Sequence, residues 1–390
     1  MSYPYVGKVA ASVGNGLGGI PIRKEAAATV STQKTLLANI AGLPLTGIPI
    51  AGNNVISNNI VTATLSNNKA ICAYTNSTST FLEVVVVGID GTTSIFGLPL
   101  VCGTVANNNI AIEVLSDTKA ICIYSGTAGY IESIVLEIDG YVITKGDKYV
   151  VESVSVSQIS ISKLTETKVV CSYKRNSSTF VGIVVLDIAG TVVTIGTITV
   201  GASSINECKL TTLSPTKLIL ATIDGSSYLR CYIITITGSS IAIGTDYARS
   251  VAITYLAVTA LSENKAICVF KTTSSSFLDS LVLDVTGTVI TIGAVGNCNS
   301  TLSNYTSVEA ISPTTAICSY TNATNSTVNS IILDVSVSSI VSARTAVVIG
   351  VNHSAYTSIT KLSSMKSICL YRGGSNYLWS TFLIHEIYEC

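Results

Sequence analysis

Seven short segments of one pattern recur along the chain. They are KAICAYTN from Lys69, KAICIYSG from Lys119, KVVCSYKR from Lys168, KLILATID from Lys217, KAICVFKT from Lys265, TAICSYTN from Thr315 and KSICLYRG from Lys366. Successive anchors lie 50, 49, 49, 48, 50 and 51 residues apart. Self-similarity at such a period marks a repeat architecture, in which each unit buries its apolar face only against its neighbours. The 390 residues therefore read as one large repeat domain rather than two or three separate ones.

Each unit carries four strand signals. In the second unit they are NNNIAIEVL, KAICIY, YIESIVLEI and YVITKG, with a turn at Ser116-Asp117-Thr118 and another at Asp139-Gly140. Tight hairpin pairs recur at Asp90-Gly91, Ala189-Gly190 and Thr286-Gly287. Consecutive hairpins make a four-stranded antiparallel meander. In KAICAY the residues facing either side of the strand are small or apolar, so the strand needs sheet neighbours on both faces. Four-stranded sheets stacked face to face are the blades of a β-propeller. The expected fold is all-β, a seven-bladed propeller of four-stranded antiparallel blades.

The last unit runs out at Cys390 without a fourth strand. Thr46-Gly47-Ile48-Pro49-Ile50 matches Phe96-Gly97-Leu98-Pro99-Leu100 at an offset of 50. Residues near 44 to 52 are thus expected to complete the last blade and close the ring, which removes two exposed sheet edges. This divides the chain into an N-terminal arm, 1–41, and a propeller, 42–390. Within the arm SVGNGLGGIP is glycine-rich, and Arg23 to Ile40 has a weak helical pattern interrupted by Thr29, Val30, Ser31 and Thr32. The arm either docks on another protein or tucks onto its own domain.

Charged residues make up 11%, with 22 bases against 22 acids, so no nucleic-acid surface is expected. A hydrophobic content of 48% and mean hydropathy of +0.56 suggest a membrane at first sight. The apolar residues come in short runs, however, far from the roughly 20 that a spanning helix needs. Strands apolar on both faces also lack the one lipid face of a membrane barrel, so no membrane insertion is expected. The first residues have no continuous apolar segment of the kind that makes a signal peptide.

Of the eleven cysteines, Cys72, Cys122, Cys171, Cys268, Cys318 and Cys369 sit three residues after the anchor, where the fourth unit has Leu220. A place that takes Cys or Leu is small, buried and apolar. Equivalent positions in neighbouring sheets would be roughly 10 Å apart, beyond the Cα separation of about 7 Å that a disulfide tolerates. The other five show no metal spacing. Free thiols in a reducing cytoplasm follow.

The search for chemistry finds no active site. His353 and His385 have no spaced partners, and GxSxG, HExxH, P-loop and paired-cysteine zinc patterns are absent. One position before the third-strand turn the units carry Gly88, Glu137, Asp187, Thr235, Asp284, Asp334 and Glu386, single acids without the clustering of a calcium loop. The first strand of each unit should line a central channel. Two residues before its end stand Ala63, Glu113, Ser162, Thr211, Thr259, Glu309 and Thr360, and the next position adds Lys163 and Lys361. That is a polar, wet channel with no converging carboxylates of the glycosidase type. Neither catalysis nor a cofactor nor a metal is expected.

The loops between second and third strands are the most variable surface. TNSTST, SGTAG, KRNSST, DGSS, KTTSSS, TNATNST and RGGSN should share one rim. Their small polar tips suit adaptable hydrogen bonding to a sugar or protein, or serve simply as solubilising turns. The candidate binding residues there are Asn76, Ser77, Lys174, Arg175, Asn176, Asn322, Asn325 and Arg372.

The composite pattern SxxKAICxY…S…VVLDIxGTxxTIG resembles repeats in tail-associated proteins of bacteriophages and prophages, over roughly residues 57 to 390. The Trp-Asp pairs of WD40 repeats are missing, since the one tryptophan is Trp379. The resemblance implies a virion structural protein of the tail or baseplate, made in the bacterial host cytoplasm and presenting its propeller for host attachment. It implies other virion proteins as partners through the arm, and a host cell-surface glycan or protein at the rim. It transfers no catalytic residues. The alternatives are a carbohydrate-binding, lectin-like propeller and a purely structural decoration protein of the particle.

Overall fold

A computed structural model of the chain describes residues 45–46, 50–52, 56–90, 93–105, 109–351 and 355–385. They form antiparallel β-sheet almost throughout. The expected helix over Arg23 to Ile40 and the boundary at residue 41 lie outside the described residues, as do Gly91, His353 and Cys390.

The anchor segments are the second strands: Lys69–Asn76, Lys119–Ser125, Lys168–Arg175, Lys217–Asp224, Lys265–Thr272, Thr315–Asn322 and Lys366–Arg372. Each pairs with the strand before it and the strand after it; Cys72, for example, faces Thr62 on one side and Val85 on the other. Being central in the sheet and covered on both faces, Ala70 to Tyr74 are fully buried. The six anchor-aligned cysteines and Leu220 are fully buried too, and the cysteines are free thiols. Two residues further on, Tyr74, Tyr124, Tyr173, Phe270, Tyr320 and Tyr371 are among the largest fully buried side chains. Glycine makes room for them: a Cβ on Gly182 would lie 2.6 Å from the Tyr173 ring.

The anchor lysine links one unit to the next. The third-strand hairpins turn through glycines in the left-handed region, at Gly140, Gly190, Gly238 and Gly287. The ammonium of Lys119 donates to the carbonyl of Gly190 at 3.0 Å, Lys168 to Gly238 at 2.9 Å and Lys217 to Gly287 at 2.9 Å. Lys168 and Lys265 also pair with the carboxylates of Asp187 and Asp284 directly opposite, at 3.0 and 3.2 Å. In the last unit the residue facing the anchor is Ile384, so the expected equivalence of Glu386 is two residues out of register. The third strand there ends at Ile384.

A second difference concerns strand length. Four discrete strands per unit were expected, yet Val142–Thr165, Thr199–Ser214 and Ser240–Ser262 each run without a break from the outer edge of one sheet to the inner strand of the next. Val142–Thr165 pairs with Tyr130–Asp139 through its first half and with Lys168–Arg175 through its second. No turn residue separates the halves, so the ladder simply changes partner.

Of the segment expected near residues 44 to 52, residues 45–46 and 50–52 are described, and they pair with the last unit's third strand. Leu45 and Thr46 face Ile384 and Leu383, Ile50 and Ala51 face Ser380 and Trp379, and the Gly52 amide donates to the Leu378 carbonyl at 2.7 Å. Removing these partners strips the edge of Leu378–Ile384, at about 1 kcal/mol per lost hydrogen bond. A chain lacking residues 1–52 is expected to melt lower and aggregate, whereas one lacking 1–40 keeps the parent's midpoint. Equal midpoints and solubility for the two truncations would show that the segment does not support the last sheet.

Candidate functional site

The inner strands of all seven units, Ser57–Ser66 to Ala355–Ser363, line one cavity of about 850 Å³. All nine channel residues named from the sequence lie in its wall, and it reaches the first-to-second strand turns at Asp117 and Glu166. Glu113 accepts backbone hydrogen bonds at Val114 and Lys163, while the Lys163 ammonium donates to the Leu115 carbonyl at 2.5 Å. Lys361 similarly donates to the Ile311 carbonyl at 2.7 Å beside Glu309. Enclosure by the walls pushes both carboxyls up to about 7; Glu113's charge raises Glu309 further, and the neighbouring lysines oppose the rise.

Hydroxyls join adjacent inner strands around this cavity. Ser160 accepts from the Leu210 amide at 2.9 Å, Thr211 from Ala260 at 2.8 Å and Ser307 from Ile359 at 3.1 Å. The last and first units are linked in the same way, Ser358 accepting from the Thr62 amide at 3.0 Å and Thr360 bonding Thr64 at 2.7 Å.

A second feature occupies the start of the inner strands, ten residues before each anchor. The residues there are Asn59, Asn109, Gln158, Glu207, Tyr255, Tyr305 and Tyr356, all half-buried. At Asn59, Gln158, Tyr255, Tyr305 and Tyr356 the inner strand bulges, with the ladder to the second strand shifting register; Glu207 instead faces Ile223 beside a shift at Asn206, and Asn109 precedes its strand. Asn59, Gln158, Tyr255, Tyr305 and Tyr356 take φ between 49° and 54°. A bulky residue in that region is rare and costs about 1–2 kcal/mol.

The ring is divided into two parts. On one side the tyrosines form a ladder, with centroids of Tyr255 and Tyr305 at 5.1 Å and of Tyr305 and Tyr356 at 5.1 Å, the planes tilted by 49° and 50°. On the other are amides and a carboxylate. Lys271 lies 5.7 Å from the centroid of Tyr255 and donates to Asn304 at 2.9 Å, while Arg372 lies 5.2 Å from that of Tyr356 and donates to Asn58 at 2.7 Å. Burial and the neighbouring Tyr305 raise the Tyr255 and Tyr356 phenols, so both remain hydrogen-bond donors at neutral pH.

The rim candidates are distributed differently from expectation. Asn76, Lys174, Arg175, Asn322 and Arg372 end second strands instead of tipping loops, because cross-strand pairing continues to their positions. Asn76 and Asn322 are buried, Asn76 donating to Glu83 at 2.8 Å. Arg175 pairs with Glu152 at 2.9 Å. Ser77, Asn176 and Asn325 do lie in loops; Asn176 bonds Ser155 and Ser157, and Asn325 accepts from Thr327. Only Arg372 touches the tyrosine ladder. His385 is buried against Ser367, and burial lowers it to about 4. Among the described residues no group of three His, Cys, Asp or Glu side chains could hold a metal ion.

The ladder was missed by reading loops rather than strand starts. Its signal is present: three tyrosines at spacings of 50 and 51, in phase with the anchors.

The chain matches no protein-family model and no curated protein. Solved structures do resemble it. The SapL1 lectin, in complex with alpha-methyl fucoside, superposes with a TM-score of 0.52 at 15% identity, covering 78% of this chain and 99% of that one. AofleA from Arthrobotrys oligospora gives 0.52 at 8%, covering 78% and 90%. A candidate 6-phosphogluconolactonase from Bacteroides fragilis gives 0.56 at 9%, covering 81% and 94%. The fold is of the β-propeller type. At these identities the likeness carries architecture alone, and the neighbours' names span both binding and catalysis.

The cavity carboxyls make a pH prediction. A glutamate near 4.5 in the unfolded chain and about 7 in the fold binds extra protons when folded, so its stabilisation is present below the first value and lost as pH rises through the second. Joint Glu113→Gln and Glu309→Gln substitution is expected to raise the melting midpoint over the parent at about pH 8, with the gain shrinking toward pH 4.5. A difference independent of pH would show that the two carboxyls titrate normally. His385 acts in the opposite sense, its contribution being lost as pH falls from 6.5 to about 4, and it is common to both proteins.

Proposed function

We propose that the chain is a carbohydrate-binding β-propeller of seven blades, its ring closed by residues 45–46 and 50–51 against Leu378–Ile384, and that saccharide binds at the tyrosine-lined mouth. The seven-fold, closed arrangement is supported by the common cavity, by the Ser358–Thr62 and Thr360–Thr64 bonds between last and first units, and by the tilt between successive tyrosines, close to one seventh of a turn.

The observation that carries the binding reading is the ladder itself. Half-buried aromatic rings next to amides and a carboxylate offer what a sugar needs: apolar surface for its C–H faces and donors and acceptors for its hydroxyls. Strain held at three adjacent tyrosines accords with a preorganised site. The lectin among the structural neighbours lends the same reading support by analogy of architecture. The setting we propose is a virion tail or baseplate, with the arm on particle proteins and the mouth toward a host surface glycan. That setting rests on the repeat resemblance.

Tyr305→Gly tests the site, since glycine takes the left-handed backbone without strain while deleting the middle ring. The variant is expected to keep the parent's melting midpoint and to lose at least about tenfold in affinity for whichever saccharides the parent binds on a glycan array, as measured by titration calorimetry. Unchanged affinity, or a parent that binds no saccharide, would overturn the reading.

A further inference from the structure

The fourth unit departs from the others at one buried position, and a pocket lies beside it. Elsewhere the aromatic residue five positions after the anchor reaches the outer strand of the preceding unit. Tyr173 donates to Glu152 at 2.8 Å and Tyr371 to the Ile349 carbonyl at 3.2 Å. Asn299 donates to Tyr320 at 2.6 Å, and Arg249 lies 5.9 Å from the ring centroid of Phe270. At Gly103 the fit is so close that a Cβ would lie 2.7 Å from the Tyr124 hydroxyl. The fourth unit has Thr222 at this position, fully buried, its hydroxyl without a partner among the described residues.

Between the third and fourth units lies a pocket of about 340 Å³, within the range of roughly 300–1,000 Å³ that small-molecule sites occupy. Val181, Ile205 and Leu220 form its buried wall, and Leu220 stands two residues before Thr222 on the same face of the strand. The mouth is made by Gly201, Ala202 and Ser203, which bow out of the ladder opposite Val181 alone. Ala202 and Ser203 are exposed, so the pocket opens to solvent. Ser203 holds the place that Gly103 has in the first unit, since Phe180 pairs with Ser204 as Phe81 pairs with Thr104. Its hydroxyl shares a hydrogen bond with Tyr232, which also lines the pocket. We propose that this pocket binds a small phenol-type aromatic molecule, its ring standing in for the aromatic side chain that the fourth unit lacks and its hydroxyl on the Ser203–Tyr232 pair. The chemistry of the ligand follows from what fills the equivalent place elsewhere, a flat ring with one hydroxyl at its tip. Dry apolar cavities of about 150 Å³ already take up benzene, so an aromatic ring is of suitable size.

Calorimetric titration of the full chain with 4-methylphenol and with toluene tests the proposal. 4-Methylphenol is expected to bind with a dissociation constant of about 1 mM or tighter, and toluene about fivefold more weakly for want of one hydrogen bond. Ala202→Trp, at the exposed mouth, and Thr222→Tyr, which supplies the side chain of the other units, should each lower the affinity at least about tenfold. Tyr305→Gly should leave it unchanged. If Thr222→Tyr does not fold, Ala202→Trp decides alone. No saturable binding by the parent, or binding that survives Ala202→Trp, would overturn the pocket. Loss of binding in Tyr305→Gly would place the phenol on the tyrosine ladder and overturn it likewise. Toluene binding as tightly as 4-methylphenol would overturn the role of the hydroxyl pair. The glycan reading concerns the mouth of the ring and survives each of these failures.

Discussion

The inner edge of a propeller sheet presents backbone N–H groups to a cavity, and an unpaired edge is both costly and a template for stray pairing. Here that edge is covered by side-chain hydroxyls from the preceding unit: Ser160 on the Leu210 amide, Thr211 on Ala260, Ser307 on Ile359 and Ser358 on Thr62. Each such bond stabilises by only about 1 kcal/mol net, less than the 1.5–3 kcal/mol from burying one aliphatic side chain. Cohesion therefore comes from the packed faces. The hydroxyl bonds supply direction, because they form only when one unit sits in a single register against the next. The lysine-to-glycine bonds do the same at the third-strand turns. Two sets of weak, directional contacts, one on the inner strands and one at the third-strand turns, thus orient large non-directional surfaces.

Much of this was legible in the sequence, for a physical reason. A strand buried on both faces tolerates few residue types, so KAICAY and its relatives preserve their pattern through every unit, and the cysteine slot with its Leu220 exception reads directly as burial. The match of residues 46–50 to 96–100 located the outer partner of the last sheet on pattern alone. What could not be read was the continuity of Val142–Thr165, because a chain that changes ladder partner without a turn leaves no Gly, Pro or Asn to mark the change. The Glu386 register failed in the last unit, where an isoleucine and no carboxylate stands opposite the anchor.

The site was harder to read than the scaffold. Loop composition drew attention to Asn76 and Asn322, which the sheet extends far enough to bury. The tyrosines were hidden by their location inside strands, where an aromatic residue ordinarily signals packing. Only the bulge, which turns each one out of the ladder, changes its meaning. The cavity residues were found correctly, yet their electrostatics follow from enclosure and from the charge of Glu113 acting on Glu309, neither of which a linear pattern encodes.

The bulged ring has an evolutionary consequence. At Asn59, Gln158, Tyr255, Tyr305 and Tyr356, ten residues before their anchors, the backbone has left the ladder, so the side chain there has no cross-strand partner. Asn, Gln and Tyr all occupy the position in one molecule while the units around them stay alike. Selection can therefore rewrite the mouth one residue at a time, at five addresses, without renegotiating the fold. The left-handed backbone biases that choice, favouring residues that tolerate it, and makes each tyrosine a conformationally expensive substitution that persists only under a benefit. A lineage of such proteins would keep its scaffold and drift in what the mouth accepts.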